Sequence, residues 1–185
     1  MMGNDYLTNP LEFLISTLFS LYIVAVMLRF LLGLVHADFY NPVSQFLVRI
    51  TNPLLIPLRK IIPSIGRFDS AAMLLMVILQ LAAVTLVLLL RGEGVSSAAL
   101  IVITTATLVS LLLDVFMFAI IVEVIISWMN PGSYNPISSL LHSLTSPLLR
   151  PIRHVVPPIA GIDLSPLFAI IGLQMLRMLI LPLIA

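Results

Sequence analysis

The chain has 185 residues, 61% of them hydrophobic and 9% charged, with a mean hydropathy of +1.19. A soluble domain of this size would expose wide apolar surface with that balance, so the sequence reads as an integral membrane protein. A net charge of +1 gives no electrostatic case for nucleic acid as a partner. The absence of cysteine excludes disulfides, thiolate metal sites, cysteine-held iron–sulfur clusters and cysteine nucleophiles.

Met1 to Pro10 has no basic n-region and leads into an apolar run too long for a signal h-region, so the run is expected to remain as a first membrane helix. Thr8-Asn9-Pro10-Leu11-Glu12 reads as its start, with Asn9 as cap, Pro10 at the first helical position and Glu12 in the first turn. From Leu11 to about Val35 the run, with Arg29 as its one internal base, is long enough to cross a hydrocarbon core of roughly 30 Å. A second span is expected over about 70–90, a third ending at Trp128 and Met129, and a fourth over about 164–183. Residues 98–129 exceed the roughly 20 that a span requires but are too few for two spans and a turn, so one long helix is expected there, tilted or extended beyond the membrane.

One stretch is written twice. Tyr40-Asn41-Pro42 against Tyr134-Asn135-Pro136 fixes an offset of 94 residues (134 − 40), and the register then holds without a gap. Pro53, Pro57, Arg59, Pro63 and Asp69 fall on Pro147, Pro151, Arg153, Pro157 and Asp163, and Ser44, Leu47, Thr51 and Ile65 recur at Ser138, Leu141, Thr145 and Ile159. The fold expected is therefore an all-α membrane protein of four spans in two repeats, 11–91 and 105–185, joined by a connecting extension, 95–104. Each repeat is a transmembrane helix, a cytoplasmic amphipathic helix and a second transmembrane helix. An even number of spans per repeat makes the two parallel, related by an axis along the membrane normal. Arg49, Arg59, Lys60 and Arg67 in the first motif segment, with Arg150 and Arg153 in the second, put both segments in the cytoplasm and both termini in the periplasm.

Asn41-Pro42 and Asn135-Pro136 are cap and first-turn signals, so a short helix should start at each and end near Pro53 or Pro147. Val43, Phe46, Leu47, Ile50 and Leu54 share one face, with Gln45, Arg49 and Asn52 opposite. In the second copy Ile137, Leu140, Leu141, Leu144 and Leu148 oppose Ser139, Ser143 and Ser146. Such helices fit the cytoplasmic interface with the apolar side down; a re-entrant loop is the alternative. The prolines that follow, Pro53, Pro57 and Pro63 or Pro147, Pro151, Pro157 and Pro158, predict a stiff extended path back to the membrane. Arg59-Lys60 and Arg153-His154 would then meet anionic headgroups or an acidic partner.

The register superposes Arg29 on Glu123. A charge alone in a span is expensive, so an Arg29–Glu123 bridge between the repeats is expected, with a proton- or cation-handling role for Glu123 as the functional alternative. Asp114 and Arg177 both count to the outer half and form a second candidate pair. Asp114 and Glu123 lie nine residues apart, on opposite sides of one helix, which argues against a single ion pathway along it. His36, His142 and His154 lack ligand spacing, so neither metal nor haem is expected. No phosphate-binding glycine loop or Gly-x-Ser-x-Gly is present, so neither a cofactor nor an enzymatic activity is expected.

Thr-x-Pro-Leu-Leu-x-Pro-x-Arg after each Asn-Pro, together with Ser127-Trp128 and Ile162-Asp163-Leu164-Ser165-Pro166, resembles the YggT family of small bacterial inner-membrane proteins. The first copy departs from the pattern, with Gly33-Leu34 for Ser-Trp and Asp69-Ser70-Ala71-Ala72 for Asp-Leu-Ser-Pro, which makes the second the better preserved contact surface. The resemblance implies a link to osmotic or ion stress and, in plastid and Gram-positive relatives, to membrane assembly, division or cytochrome maturation, with no catalytic residue to carry over. The function expected is that of a non-enzymatic assembly or organising factor in the bacterial inner membrane. It would dock through Asn41, Pro42, Pro53, Pro57, Arg59, Asn135, Pro136, Pro147, Pro151, Arg153 and Asp163, with the lipid bilayer, anionic lipids included, and a membrane protein or a second copy as partners. The alternative is an ion channel or transporter component that uses Arg29, Glu123, Asp114 and Arg177.

Overall fold

A computed structural model of the chain describes residues 5–66, 68–129, 135–157 and 163–184. Tyr134, Arg67, Pro158, Ile159 and Ile162, which enter the motif and charge arguments above, lie outside the described residues. Among the described residues six helices follow one another: α1 Asp5–Leu34, α2 Pro42–Ile61, α3 Ser70–Arg91, α4 Ser97–Met129, α5 Pro136–Val155 and α6 Ser165–Ile184. Four of them, α1, α3, α4 and α6, are long and apolar enough to cross a membrane. The fourth helix is unbroken over its 33 residues, about 50 Å at 1.5 Å per residue.

Helix α1 begins at Asp5, ahead of the Asn9-Pro10 start read from the sequence. Pro10 is inside it, where only the Tyr6 carbonyl loses its helical partner. At its other end α1 closes with a Schellman turn. His36 takes the left-handed conformation (φ 55°), so that Ala37 N reaches Leu32 O at 2.9 Å and His36 N reaches Gly33 O at 3.3 Å. Helix α3 ends the same way on Gly92 (φ 68°), where the left-handed turn carries no side-chain penalty.

The motif helices differ most from expectation. Neither stops at its first proline: α2 runs through Pro53 and Pro57 to Ile61, and α5 through Pro147 and Pro151 to Val155. The missing N–H groups would have served Arg49 O and Pro53 O, or Ser143 O and Pro147 O. Prolines four apart fall on one side of a helix, and that side is exposed in both. The opposite side keeps its hydrogen bonds and packs, which outweighs the local preference for breaking. The extended path expected after Pro53 and Pro147 is therefore helix.

The packed face is also rotated from the one read off the apolar pattern. Ser44, Leu47, Thr51 and Leu55 are buried on α2, and Leu140, Leu144, Thr145, Ser146 and Leu149 on α5. Phe46, Leu54 and Ile137 are exposed. Small hydroxyl residues allow close approach to the spans because their hydroxyls find partners nearby. Ser44 Oγ donates to Asp38 O at 2.9 Å, and the Tyr22 hydroxyl donates to Ile50 O at 3.2 Å. Tyr22 lies 12 residues before the end of α1 (34 − 22), so the middle of α2 rests alongside the last three turns of that span.

Within each unit the motif helix touches both spans, α2 on α1 and α3, α5 on α4 and α6. Between units α3 packs on α4, α1 touches α4 and α5, and α2 touches α5. A two-fold axis would pair α6 with α1 as it pairs α3 with α4, yet among the described residues α1 and α6 make no contact. The parallel units thus sit side by side in open order rather than as a closed two-fold pair. The larger core gathers α1, α2 and α3 with Val115, Ala119, Leu140 and Leu144; a smaller one holds Leu113, Ile120, Leu149, Ala169 and Leu173.

Candidate functional site

Each unit builds one polar joint, at the junction of its first span, motif helix and second span. In the first, Arg29 is 7% exposed and its Nη1 donates to Thr51 Oγ1 at 2.6 Å, Asn52 Oδ1 at 2.8 Å and Val48 O at 3.3 Å, all on α2. In the second, Glu123 Oε2 accepts from Thr145 Oγ1 and Oε1 lies 3.0 Å from His142 Nδ1, both on α5. These contacts are equivalent, since 51 + 94 = 145 and 48 + 94 = 142. Thr51 accepts from the guanidinium and passes its proton to Leu47 O at 2.6 Å. Thr145 lies against both Glu123 and Leu141 O, and its single proton serves one of them at a time.

Arg29 and Glu123 therefore do not pair, although α1 and α4 touch. Each charge finds its polar partners on the motif helix of its own unit. Asp114 and Arg177 do meet: Arg177 Nη1 donates to Asp114 Oδ1 at 2.7 Å and ties α6 to α4.

A second contact closes each motif. Arg59 pairs with Asp69, and Arg153 Nε donates to Asp163 Oδ2 at 2.8 Å. The same aspartates cap the following span, Asp69 Oδ1 accepting from Ala72 N at 3.2 Å and Asp163 Oδ1 from Ser165 N at 2.9 Å. Burial pushes the Asp163 carboxyl up, but hydrogen bonds from Ser165 and Arg153 and the Arg153 charge outweigh it and hold the group below the usual carboxylate range. Arg59 and Arg153, read from sequence as facing headgroups or a partner, are thus each paired with an aspartate of their own unit while remaining partly exposed. Asn41 and Asn135 cap α2 and α5, accepting from Val43 N and Ile137 N at 3.0 Å each. Asn41 also crosses between the units, its Nδ2 donating to Pro136 O at 2.7 Å.

Both joints open into cavities. The second, about 390 Å³, is lined by Glu123, Ser127, Trp128, Arg153, Asp163 and Pro166. The first, about 270 Å³, is lined by Arg29, Phe30, Gly33, Phe39, Arg59 and Asp69. The cavities share their architecture but not their sign: two cations face one anion in the first, two anions face one cation in the second.

The CCB3/YggT family matches the chain twice, over residues 8–90 and 102–184. The chain belongs to the CCB3/YggT family. The two family matches are themselves 94 residues apart (102 − 8 and 184 − 90), so each CCB3/YggT unit carries one joint and one cavity. An uncharacterized protein of Pseudomonas aeruginosa is 47% identical over 91% of this chain and 87% of its own length. An uncharacterized protein of Vibrio alginolyticus is 43% identical over 90% of each, and the uncharacterized protein YggT of Escherichia coli is 37% identical over 92% of this chain and 88% of its own. No solved structure matches.

In this CCB3/YggT chain the Ser127-Trp128 and Asp163-Leu164-Ser165-Pro166 segments come together, since Ser127, Trp128, Asp163 and Pro166 all line the second cavity. Tyr22, Asn52, Thr51, Thr145 and His142 were not singled out as site residues. The recurrence of Thr51 at Thr145 in the register was the available signal. Among the described residues no three of the His, Asp and Glu side chains converge as metal ligands would.

Proposed function

We propose that the chain is a non-enzymatic multi-pass protein of the bacterial inner membrane that organises or assembles other membrane components, with both motif helices in the cytoplasm and both termini in the periplasm. The observation that carries this reading is the division of the charges. Those of the spans hold helix to helix: Arg29 and Glu123 grip the motif helices, Arg177 grips Asp114, and Arg91 grips Glu12 at 2.8 Å. Arg49, Lys60 and Arg150 remain exposed on the motif helices.

Bases on two firmly anchored helices suit docking to anionic headgroups and to an acidic membrane-protein partner or second copy, each base adding about 1 kcal/mol of attraction to an anionic leaflet. The same distribution of bases favours the cytoplasmic placement. The link to osmotic stress and envelope homeostasis rests on family resemblance. A channel or transporter component is favoured by one observation, the second cavity of about 390 Å³, whose wall includes the intramembrane carboxylate Glu123.

Growth after osmotic upshift, in a strain lacking its own copy, separates the two. Arg49→Ala with Lys60→Ala and Arg150→Ala is expected to abolish rescue, while Glu123→Gln retains it. The reverse pattern supports ion handling and overturns docking.

A further inference from the structure

A further cavity, about 450 Å³, lies in the seam where α3 of the first unit meets α4 of the second and shares Phe30 with the cavity of the first joint. That size is within the range of small-molecule sites, about 300–1,000 Å³. Phe30 of α1, Met76 and Leu81 of α3, and Thr104, Leu112 and Phe116 of α4 are among its lining residues, and nearly all of the wall is apolar. A void of this size forfeits the dispersion contacts that close-packed helices make.

Two threonines stand in the wall, Thr104 and Thr105, and of these only Thr104 has a free hydroxyl among the described residues. It is 3% exposed, and its hydroxyl has no hydrogen-bond partner among the described residues. Thr105 and Thr107 on the same helix satisfy theirs on the carbonyls four residues back, at 2.8 Å and 2.7 Å. A buried hydroxyl left unpaired is costly, so the Thr104 hydroxyl calls for an acceptor. The repeat does not supply this feature twice, since the position equivalent to Thr104 is Pro10 (104 − 94).

We propose that this cavity holds one acyl chain of a membrane glycerolipid, whose ester carbonyl accepts a hydrogen bond from Thr104. The length fits an acyl chain: Thr104 to Phe116 is 12 residues of helix, about 18 Å. The polarity fits as well. The lone donor lies toward the end where Arg91 and Glu12 pair, and the opposite end, at Phe30, Phe68 and Phe116, is aromatic and apolar. A ring compound with polar atoms on opposite edges would leave one of them unpaired. The bound chain fills the seam and joins the two units. This inference does not depend on the docking function.

The full chain, extracted in mild detergent from vesicles of phosphatidylethanolamine and phosphatidylglycerol, is examined by native mass spectrometry. One glycerolipid should remain bound per chain. Leu112→Trp and, from the other wall, Leu81→Phe should each release it while circular dichroism shows unchanged helix. In the unsubstituted chain a diester lipid should be retained roughly five-fold better than its diether analogue, about the worth of one hydrogen bond, and Thr104→Val should erase that preference. Undiminished lipid in a folded filled variant overturns the proposal. So does equal retention of diester and diether by the unsubstituted chain, a comparison that holds even if both filled variants misfold.

Discussion

A threonine hydroxyl accepts from a guanidinium or donates to a carboxylate, which is why Thr51 and Thr145 can serve opposite charges at equivalent positions. Charge-assisted bonds of this kind are worth about 1.5–3 kcal/mol. A double-mutant cycle of Arg29→Leu with Thr51→Val, read as unfolding free energy in detergent, should therefore give a coupling of roughly 1–3 kcal/mol, whereas Arg29→Leu with Glu123→Leu should be additive within about 0.5 kcal/mol. Coupling in the second cycle and none in the first would restore the bridge between units. Asp163 gives a pH signature. Its folded pKa lies below the unfolded value, so its contribution is fully present above the unfolded carboxylate pKa, about 3.9, and is lost as pH falls through the folded value. The stability difference between the protein and Asp163→Asn should be clear near neutral pH and vanish in acid; a difference that grows on acidification contradicts this. The recurrence of Arg59, Asp69 and Thr51 at Arg153, Asp163 and Thr145 was legible as a repeat. Which side chain each one meets was not, because register gives equivalence and not contact.

The motif helices show where element-scale reading stopped. Asn41 and Asn135 are strong local start signals and fix the beginnings. The ends depend on packing of the face away from the prolines, which local preference does not encode. Pro53→Ala restores a donor for Arg49 O in a segment that is already helical, so it should raise the midpoint of thermal unfolding by an amount worth up to about 3 kcal/mol; a lowered midpoint would mean that the proline shapes a bend the packing needs. The rotated face makes a second distinction. Leu55 is fully buried and Phe46 is 61% exposed, so Leu55→Ala should cost about 2–5 kcal/mol and Phe46→Ala far less, by denaturant titration. Similar losses would favour the face read from the apolar pattern. That pattern failed because it left Ser44, Thr51 and Thr145 out of the apolar face, while hydrogen bonds to the spans and to nearby carbonyls let all three pack inward.

At the scale of the molecule, four spans and two units followed from hydropathy and repetition, and those are the features that long sequence averages carry best. The open order of the units did not. It depends on α3 meeting α4 while α6 leaves α1 untouched, and a parallel repeat is equally compatible with a closed pair. The central claim is that the two motif helices are equivalent in placement, fixed to their own spans on one side of the membrane, with that side cytoplasmic. The chain has no cysteine, so single cysteines at Lys60, at its register equivalent His154 (60 + 94) and at Glu93 test it in intact cells with an impermeant thiol reagent. The expected result is reaction at position 93 from outside, and at 60 and 154 only after permeabilisation. Unequal behaviour of 60 and 154, or reaction of both from outside while 93 is protected, would contradict it.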